Sequence, residues 1–227
     1  VYKIIDKRTN VPLCKKVLKT EGSSYQDLQN AIKEFQVLHM LHHPSICYAI
    51  ALNTAEIVQD ENQNKDDDDD SDDKITTVSI LLEFIDYKLK DCIEKNLINN
   101  TIKARIIVEI SQGLKYIHSK NMIYRDLKLS NIMLNSSFQA KMIDFGLIKI
   151  NEYLLGEDMV NSISMANSFF DAFFMSPELL KEEEYDNKTD VFSFGIILYY
   201  MFVGRMPKQT VKDKIMDKQF DLPDESP

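Results

Sequence analysis

The sequence predicts an α+β fold in which a small antiparallel β-sheet with one helix precedes a larger, mainly helical half. Two observations lead to this prediction: strand-like patterns dominate residues 1–85, and helical periodicity dominates residues 86–227. A hydrophobic share of 44% in 227 residues is enough to bury a sizeable core. We therefore expect an N-terminal lobe over residues 1–85 and a C-terminal lobe over residues 86–227.

The N-terminal half has the pattern of several short strands and one helix. The predicted strands are Val1–Ile5, Leu13–Leu18, Ile46–Ala51 and Ile75–Ile85. Apolar residues from Leu28 to Leu41 recur with a period of about 3.6 residues, which predicts a helix. Ser23 or Ser24 can cap the start of this helix, and Pro44 is expected to end it.

One acidic segment carries most of the net charge of −9. Residues 60–73 hold nine acidic residues against one base, so the remaining 27 acids and 26 bases nearly balance. A charge run of this kind repels itself and predicts a solvated insertion between two strands; a site for a cation or a basic partner is the alternative. Outside residues 60–73 the charges nearly balance, and no basic patch suited to nucleic acid is visible. No nucleic-acid partner is therefore expected.

Neither a membrane segment nor a secretory signal is visible. The longest apolar stretch, Val191–Val203, is too short to span a bilayer. The three cysteines are widely spaced and form no C-x-x-C pair, which is typical of a reduced intracellular protein. A cytoplasmic location is therefore expected.

The C-terminal half is predicted to contain two principal helices. Asn100 or Thr101 can cap the first, whose apolar residues form one stripe from Ile102 to Ile117. The second, Asp190–Phe202, is apolar nearly all round and is expected to lie buried in the larger lobe.

The chemistry is concentrated in the segment Tyr-Arg-Asp-Leu-Lys-Leu-Ser-Asn at residues 124–131 and in Asp-Phe-Gly at residues 144–146. Phosphoryl transfer from ATP needs a carboxylate to orient a hydroxyl, oxygen ligands for Mg²⁺, and cations that offset phosphate charge. These two segments supply that set as Asp126, Lys128, Asn131 and Asp144.

With Ser-Pro-Glu at residues 176–178, the segments resemble, in the same order, the H-R-D-L-x-x-x-N, D-F-G and A-P-E motifs of eukaryotic protein kinases. The resemblance covers nearly the whole chain. It implies a bilobal protein-kinase-like fold and the ATP-dependent phosphorylation of serine or threonine hydroxyls on protein substrates, with ATP and Mg²⁺. A pseudokinase that binds nucleotide or acts as a scaffold is the alternative. A non-kinase nucleotide binder is disfavoured because Asp126 would have no purpose in it.

The resemblance also implies roles for these residues. Asp126 would orient the substrate hydroxyl, and Lys128 would stabilise the transferring phosphate and favour serine/threonine substrates. Asn131 and Asp144 would hold Mg²⁺. Asp190 would hold the catalytic loop through backbone N–H groups, since a buried acid needs such partners.

In the N-terminal half, Leu13-Cys14-Lys15-Lys16 resembles the family's V-A-x-K strand, whose lysine binds the α- and β-phosphates. Strand alternation places Cys14 and Lys16 on one face, with Cys14 against adenine and Lys16 reaching the phosphates. Lys15 is the alternative, since a shift of one residue exchanges the faces. Glu34 matches the helix glutamate that pairs with this lysine.

The same resemblance extends to the adenine site. Leu82 would be the gatekeeper, and backbone groups of Glu83 and Ile85 would hydrogen-bond adenine. Met133 would form the floor under the base, although a methionine there could equally be core filler. His118, by contrast, is interpreted as ordinary packing at a helix end.

The sequence also departs from the family pattern. Because no glycine-rich loop precedes Val1 and the last helices are missing, the chain is expected to be a fragment. Tyr124 replaces the usual histidine, and Asp171 takes the place of a threonine. A carboxylate at that position would repel Asp126 unless Lys128 offsets the repulsion. We expect a displaced loop in which Ser168 supplies the hydroxyl, or low activity until the loop is reorganised.

Regulation by phosphorylation is also expected. Arg125 directly precedes the catalytic Asp126, as in family members that are switched by loop phosphorylation. A phosphate on a loop serine could pair with Arg125 and order the loop. The candidates are Ser162, Ser164 and Ser168; the alternative is that they are merely loop serines.

Overall fold

The computed structural model describes residues 1–18, 25–57, 75–150 and 171–207. The chain separates into two compact units: unit 1 is Val1–His42 with Cys47–Phe84, and unit 2 is His43–Ile46 with Ile85–Pro227. Several predictions lie outside the described residues: the helix cap at Ser23 or Ser24, the acidic insertion at residues 60–73, and the three loop serines at 162, 164 and 168. No helix among the described residues is long and apolar enough to cross a membrane.

Unit 1 contains a four-stranded antiparallel sheet with one helix packed on it. The strands are β1 (Tyr2–Ile5), β2 (Pro12–Leu18), β3 (Ala49–Ile57) and β4 (Ile75–Glu83), and the helix is α1 (Tyr25–Met40). The sheet order is β1-β2-β4-β3. Helix α1 packs on β3 and β4 and buries Val37 and Leu38, so its apolar stripe lies where the periodicity predicts it.

The register of β2 against β4 determines which residues of β2 share a face. Cys14 lies opposite Leu82, and Lys16 lies opposite Ile80. Because side chains alternate along a strand, Cys14 and Lys16 point to the same side of the sheet and Lys15 points to the other.

Several strand bounds in unit 1 differ from the predicted ones, whereas helix α1 ends at Met40, before Pro44 as expected. Strand β4 ends at Glu83 instead of Ile85. The third strand begins at Ala49 instead of Ile46 and continues to Ile57. The N–H of Tyr48 donates to a side-chain oxygen of Glu83 at 2.8 Å, so regular strand pairing begins only after this residue.

Unit 2 is mainly helical. Its helices are α2 (Leu89–Glu94), α3 (Asn100–Ser119), α4 (Pro177–Leu180) and α5 (Lys188–Val203). Short strands form two small antiparallel sheets. The first contains β5 (Tyr87–Lys88), β7 (Ile132–Leu134) and β8 (Ala140–Met142). The second contains β6 (Met122–Ile123) and β9 (Lys149–Ile150).

Helix α3 confirms the predicted apolar stripe but corrects its cap. The side-chain oxygen of Asn99 accepts a hydrogen bond from Ile102 N at 2.9 Å, so Asn99 is the cap, not Asn100 or Thr101. The extended backbone of Asn99 is the conformation that such a cap requires. Ile106 and Ile117 are fully buried in the stripe.

Helix α5 is buried along one side only, which corrects the prediction of burial all round. Val191 and Phe202 are 57% and 59% exposed, whereas Ile197 and Met201 are fully buried. The Tyr200 hydroxyl donates to a Glu94 carboxylate oxygen at 3.0 Å. Burial and this hydrogen bond raise the pKa of Tyr200 to about 12. The buried side of α5 is therefore tied to α2 as well as packed against α3.

Candidate active site

A buried carboxylate in α5 holds the segment that contains Asp126. Asp190 is 0% exposed. Its oxygens accept hydrogen bonds from the backbone N–H groups of Tyr124 at 2.9 Å and Arg125 at 2.8 Å, and from His118 Nε2 at 2.7 Å. The three donors satisfy a charge that would otherwise be very costly to bury.

The contact between His118 and Asp190 corrects the interpretation of this histidine as ordinary packing at a helix end. His118 lies at the end of α3, and its partner Asp190 lies in the first turn of α5. No spacing rule joins two residues so far apart in sequence. The one available signal is the pairing of a buried acid with a histidine at a helix end.

Tyr124 links the first motif to the second. Its side chain is fully buried, and its hydroxyl donates to the carbonyl of Ile143, the residue before Asp144. Its ring packs against Phe145 with the centroids 4.9 Å apart. The tyrosine therefore couples the backbone of the Asp126 segment to that of the Asp144 segment.

Arg125 has a left-handed backbone with φ of 66°. This conformation is uncommon for residues other than glycine and is found at functional sites. The Asp190 contact to Arg125 N and the side-chain contacts of Arg125 compensate for it. The guanidinium donates to the carbonyl of Leu147 at 2.5 Å and to the Tyr185 hydroxyl at 2.9 Å.

Both oxygens of the Asp126 carboxylate are engaged. One lies 3.0 Å from Lys128 Nζ, and the other accepts from Asn131 Nδ2 at 2.6 Å. Asn131 Nδ2 also donates to the Asp126 backbone carbonyl at 2.9 Å, which fixes the rotamer of both residues. Burial raises the pKa of the Asp126 carboxyl, while Lys128 and Asn131 act in the opposite direction.

Lys128 Nζ also lies 3.3 Å from a carboxylate oxygen of Asp171. Burial alone would lower the pKa of Lys128, but Asp126 and Asp171 together raise it, so the side chain stays charged. The expected displaced loop is therefore wrong for the described segment: Lys128 offsets the repulsion between the two carboxylates. Ser168, the residue expected to supply the hydroxyl from a displaced loop, lies outside the described residues.

The residues suited to Mg²⁺ lie beside Asp126. Asn131 is buried, its amide nitrogen is used by Asp126, and no described residue donates to its side-chain oxygen. The backbone carbonyl of Asn131 accepts a hydrogen bond from Ile143 N at 2.9 Å. Asp144, which follows Ile143 and is exposed, is thereby brought close to Asn131. Proteins that bind Mg²⁺ together with phosphates usually provide only one or two oxygen ligands of their own. The Asn131 amide oxygen and the neighbouring Asp144 carboxylate match that requirement.

In unit 1, Lys16 pairs with Glu34. The Lys16 ammonium lies 2.7 Å and 2.9 Å from the two oxygens of the Glu34 carboxylate. Glu34 is buried on α1, and Lys16 is partly buried on β2. No described residue forms an ion pair with Lys15, so Glu34 has the partner that strand alternation favoured. The phosphate-binding role of Lys16 stays a prediction.

The remaining predicted nucleotide-binding residues lie as follows. Cys14 is half-buried, and burial raises the pKa of its thiol. Glu83 N donates to the Tyr48 carbonyl at 3.0 Å, and Ile85 is buried. Met133 is half-buried and lies on the opposite face of β7 from its two fully buried neighbours. The roles of these residues toward adenine stay predictions.

A family model described as the protein kinase domain matches residues 1–224. The chain belongs to this family. The predicted family and the α+β protein-kinase-like fold are thereby confirmed.

Named kinases are similar to this kinase domain over most of its length. A probable serine/threonine-protein kinase of Dictyostelium discoideum is 29% identical over 210 residues, which is 91% of this chain and 20% of the relative. Cyclin-dependent kinase 12 of Drosophila melanogaster is 31% identical over 208 residues, 90% of this chain and 17% of the relative. The probable serine/threonine-protein kinase mkcE of Dictyostelium discoideum is 31% identical over 199 residues, 87% of this chain and 24% of the relative. The chain thus spans a quarter or less of the length of these relatives.

The Lys16–Glu34 pair of the kinase domain leads to a prediction. Lys16→Met in the full-length protein is expected to lower ATP-dependent transfer about a hundredfold, because a positioned charge is lost. Glu34→Gln is expected to cause a smaller loss, since the lysine remains but is held less firmly. Steady-state kinetics at varied ATP concentration measures both.

Lys15→Met is the matched control, one residue away on the other face of β2, and should leave the kinetics nearly unchanged. If Lys15→Met abolished transfer and Lys16→Met did not, the phosphate-binding role would belong to Lys15.

Proposed function

We propose that this domain transfers the γ-phosphate of ATP to serine or threonine hydroxyls of protein substrates. The observation that carries the proposal is the arrangement around Asp126: a largely buried carboxylate whose oxygens contact Lys128 and Asn131, on a segment linked to the exposed Asp144. Those are the parts that phosphoryl transfer needs, within one continuous stretch of unit 2.

Asp126 is suited to orient the hydroxyl and to accept its proton. A general base works best when its pKa lies nearer the operating pH than that of an ordinary carboxylate. Burial shifts the pKa of Asp126 in that direction. The contacts from Lys128 and Asn131 keep the carboxylate in one rotamer, so little reorganisation is needed before transfer.

The cations would act on the phosphates. Lys128, on the Asp126 segment, would stabilise the transferring phosphate, and Lys16, held by Glu34, would bind the α- and β-phosphates. Asn131 and Asp144 would hold Mg²⁺. When bound, this ion neutralises charge on the phosphate oxygens.

Little supports the pseudokinase alternative. The residues with catalytic roles are all present, and two of the similar relatives are named as probable serine/threonine-protein kinases. Cys14 and Cys92 are free thiols, which supports the further proposal of a reducing, intracellular location. That the whole protein acts on protein substrates and has them as its partners is part of the same proposal.

The test is phosphoamino-acid analysis. The full-length protein is incubated with Mg²⁺, γ-labelled ATP and a mixture of basic and acidic protein substrates, and the label is then identified after acid hydrolysis. We expect phosphoserine or phosphothreonine, and loss of transfer when EDTA removes the metal. Mg·ATP binding without transfer would support the scaffold alternative, and phosphotyrosine as the product would contradict the proposed substrate class.

A further inference from the structure

Lys128 lies between two carboxylates, and together they form a cluster of Asp126, Lys128 and Asp171. The lysine nitrogen is 3.0 Å from Asp126 and 3.3 Å from Asp171. The side chains are 5% exposed for Lys128, 14% for Asp126 and 16% for Asp171. One positive charge therefore serves two negative charges in surroundings with little water, where electrostatic interactions are stronger than at the surface.

Besides the ion pairs with Lys128, contacts with helix α5 hold the backbone segments that carry Asp126 and Asp171. Asp190 binds the backbone next to Asp126. On the other side, Ser193 Oγ donates to the Phe174 carbonyl at 2.6 Å, and the hydroxyls of Ser176 and Thr189 are 2.5 Å apart.

These contacts fix the segment that begins with the short 3₁₀-helix Asp171–Phe173. The Asp171 carboxylate is consequently kept beside Lys128 by the backbone to which it is attached. Its contact with Lys128 does not depend on a flexible side chain finding its partner.

The number of N–H donors on Lys128 limits how many oxygen atoms it can bind at the same time. An ammonium group has three N–H donors and no acceptor. Asp126 and Asp171 each engage the ammonium, and no other described residue forms a hydrogen bond or ion pair with it. If each carboxylate takes one donor, a single donor is left for the oxygens of a transferring phosphate.

We propose that Asp171 is a positioning residue that restrains Lys128 and thereby limits the rate of phosphate transfer. This inference rests on the proposed function of the domain. Without the Asp171 charge, Lys128 keeps its contact with Asp126, while a neutral oxygen at position 171 holds the second donor much more weakly, so this donor can turn to the phosphate. The interaction strengthens as the phosphate is transferred, so the turnover rate changes and the binding of ATP does not.

The experiment compares four variants of the full-length protein in steady-state kinetics. Asp171→Asn removes the charge and keeps the shape, and Asp171→Thr removes the charge with a smaller side chain. Both are expected to raise kcat about fivefold, the size of effect that one weak ion pair produces, with the KM for ATP unchanged. Asp171→Glu keeps the charge and is therefore expected not to raise kcat.

Glu183→Gln is the matched control, because it removes one negative charge from an exposed residue in the same part of unit 2. It should leave kcat unchanged. Thermal unfolding of every variant separates a rate effect from a loss of folded protein.

Three results would overturn the inference. The first is a parent protein that is active while neither Asp171→Asn nor Asp171→Thr raises kcat. The second is a raised KM for ATP, which would assign Asp171 to nucleotide binding. The third is a lowered Tm without any gain in kcat, which would make Asp171 purely structural. Absence of transfer in the parent protein would instead overturn the proposed function, and the inference would fall with it.

Discussion

Asp126→Asn is expected to lower phosphate transfer by about 10²–10⁴-fold while leaving the affinity for ATP nearly unchanged. The amide has nearly the same shape as the carboxylate but cannot accept the proton of a substrate hydroxyl. It also loses the negative charge that faces Lys128 at 3.0 Å. The loss should therefore be in kcat, because Asp126 contacts the hydroxyl and not the nucleotide.

The measurement pairs a transfer assay with a separate titration of Mg·ATP binding. Asp91→Asn is the matched control, since Asp91 is a half-exposed acid on α2 in the same unit, and its kinetics should equal those of the parent. Equal transfer by Asp126→Asn and the parent would show that Asp126 is not the base. A large loss of ATP affinity in Asp126→Asn would place this carboxylate at the nucleotide instead.

Asp190→Ala is expected to destabilise unit 2 by about 3–5 kcal/mol and to abolish transfer. The substitution leaves the backbone N–H groups of Tyr124 and Arg125 without their acceptor in a buried place, and His118 loses its partner. Each unsatisfied buried donor costs about 1–3 kcal/mol. Urea unfolding measures the loss, and an unchanged m-value would show that the native state remains compact.

Asp186→Ala controls for the loss of a carboxylate near the start of the same helix. Asp186 is exposed, its carboxylate lies 3.6 Å from Lys188 Nζ, and it accepts a hydrogen bond from Lys188 N at 2.8 Å. A surface ion pair and a cap of this kind are together worth about 1–2 kcal/mol, so this variant should lose less stability than Asp190→Ala. If Asp190→Ala were no less stable than Asp186→Ala, the buried hydrogen bonds would not hold the catalytic segment.

The sequence predicted those parts of the site that lie in continuous motifs or follow from a regular period. Asp126, Lys128, Asn131 and Asp144 occur in two short segments whose chemistry can be read directly. Lys16 could be preferred over Lys15 because side chains alternate along a strand. The ion pair with Glu34 has the predicted partners, since both lie on regular elements of one unit.

What could not be predicted depends on tertiary packing. His118 and Asp190 meet because α3 packs against α5. The displaced loop was wrongly expected because hydroxyl contacts, which no motif reveals, hold the Asp171 segment on α5. The cap of α3 was misplaced by one or two positions because Asn99, Asn100 and Thr101 are all good capping residues, and backbone geometry alone selects among them.

The hydrogen bonds of Asp190 make the catalytic segment and the first turn of α5 a single cooperative unit. The amide protons of Tyr124 and Arg125 belong to no helix or sheet and are shielded by one side chain. An opening motion that unwinds the start of α5 therefore exposes those amides and disperses the catalytic groups at the same time. We therefore expect local opening at this helix end to limit how long the active arrangement persists, even while the rest of unit 2 stays folded.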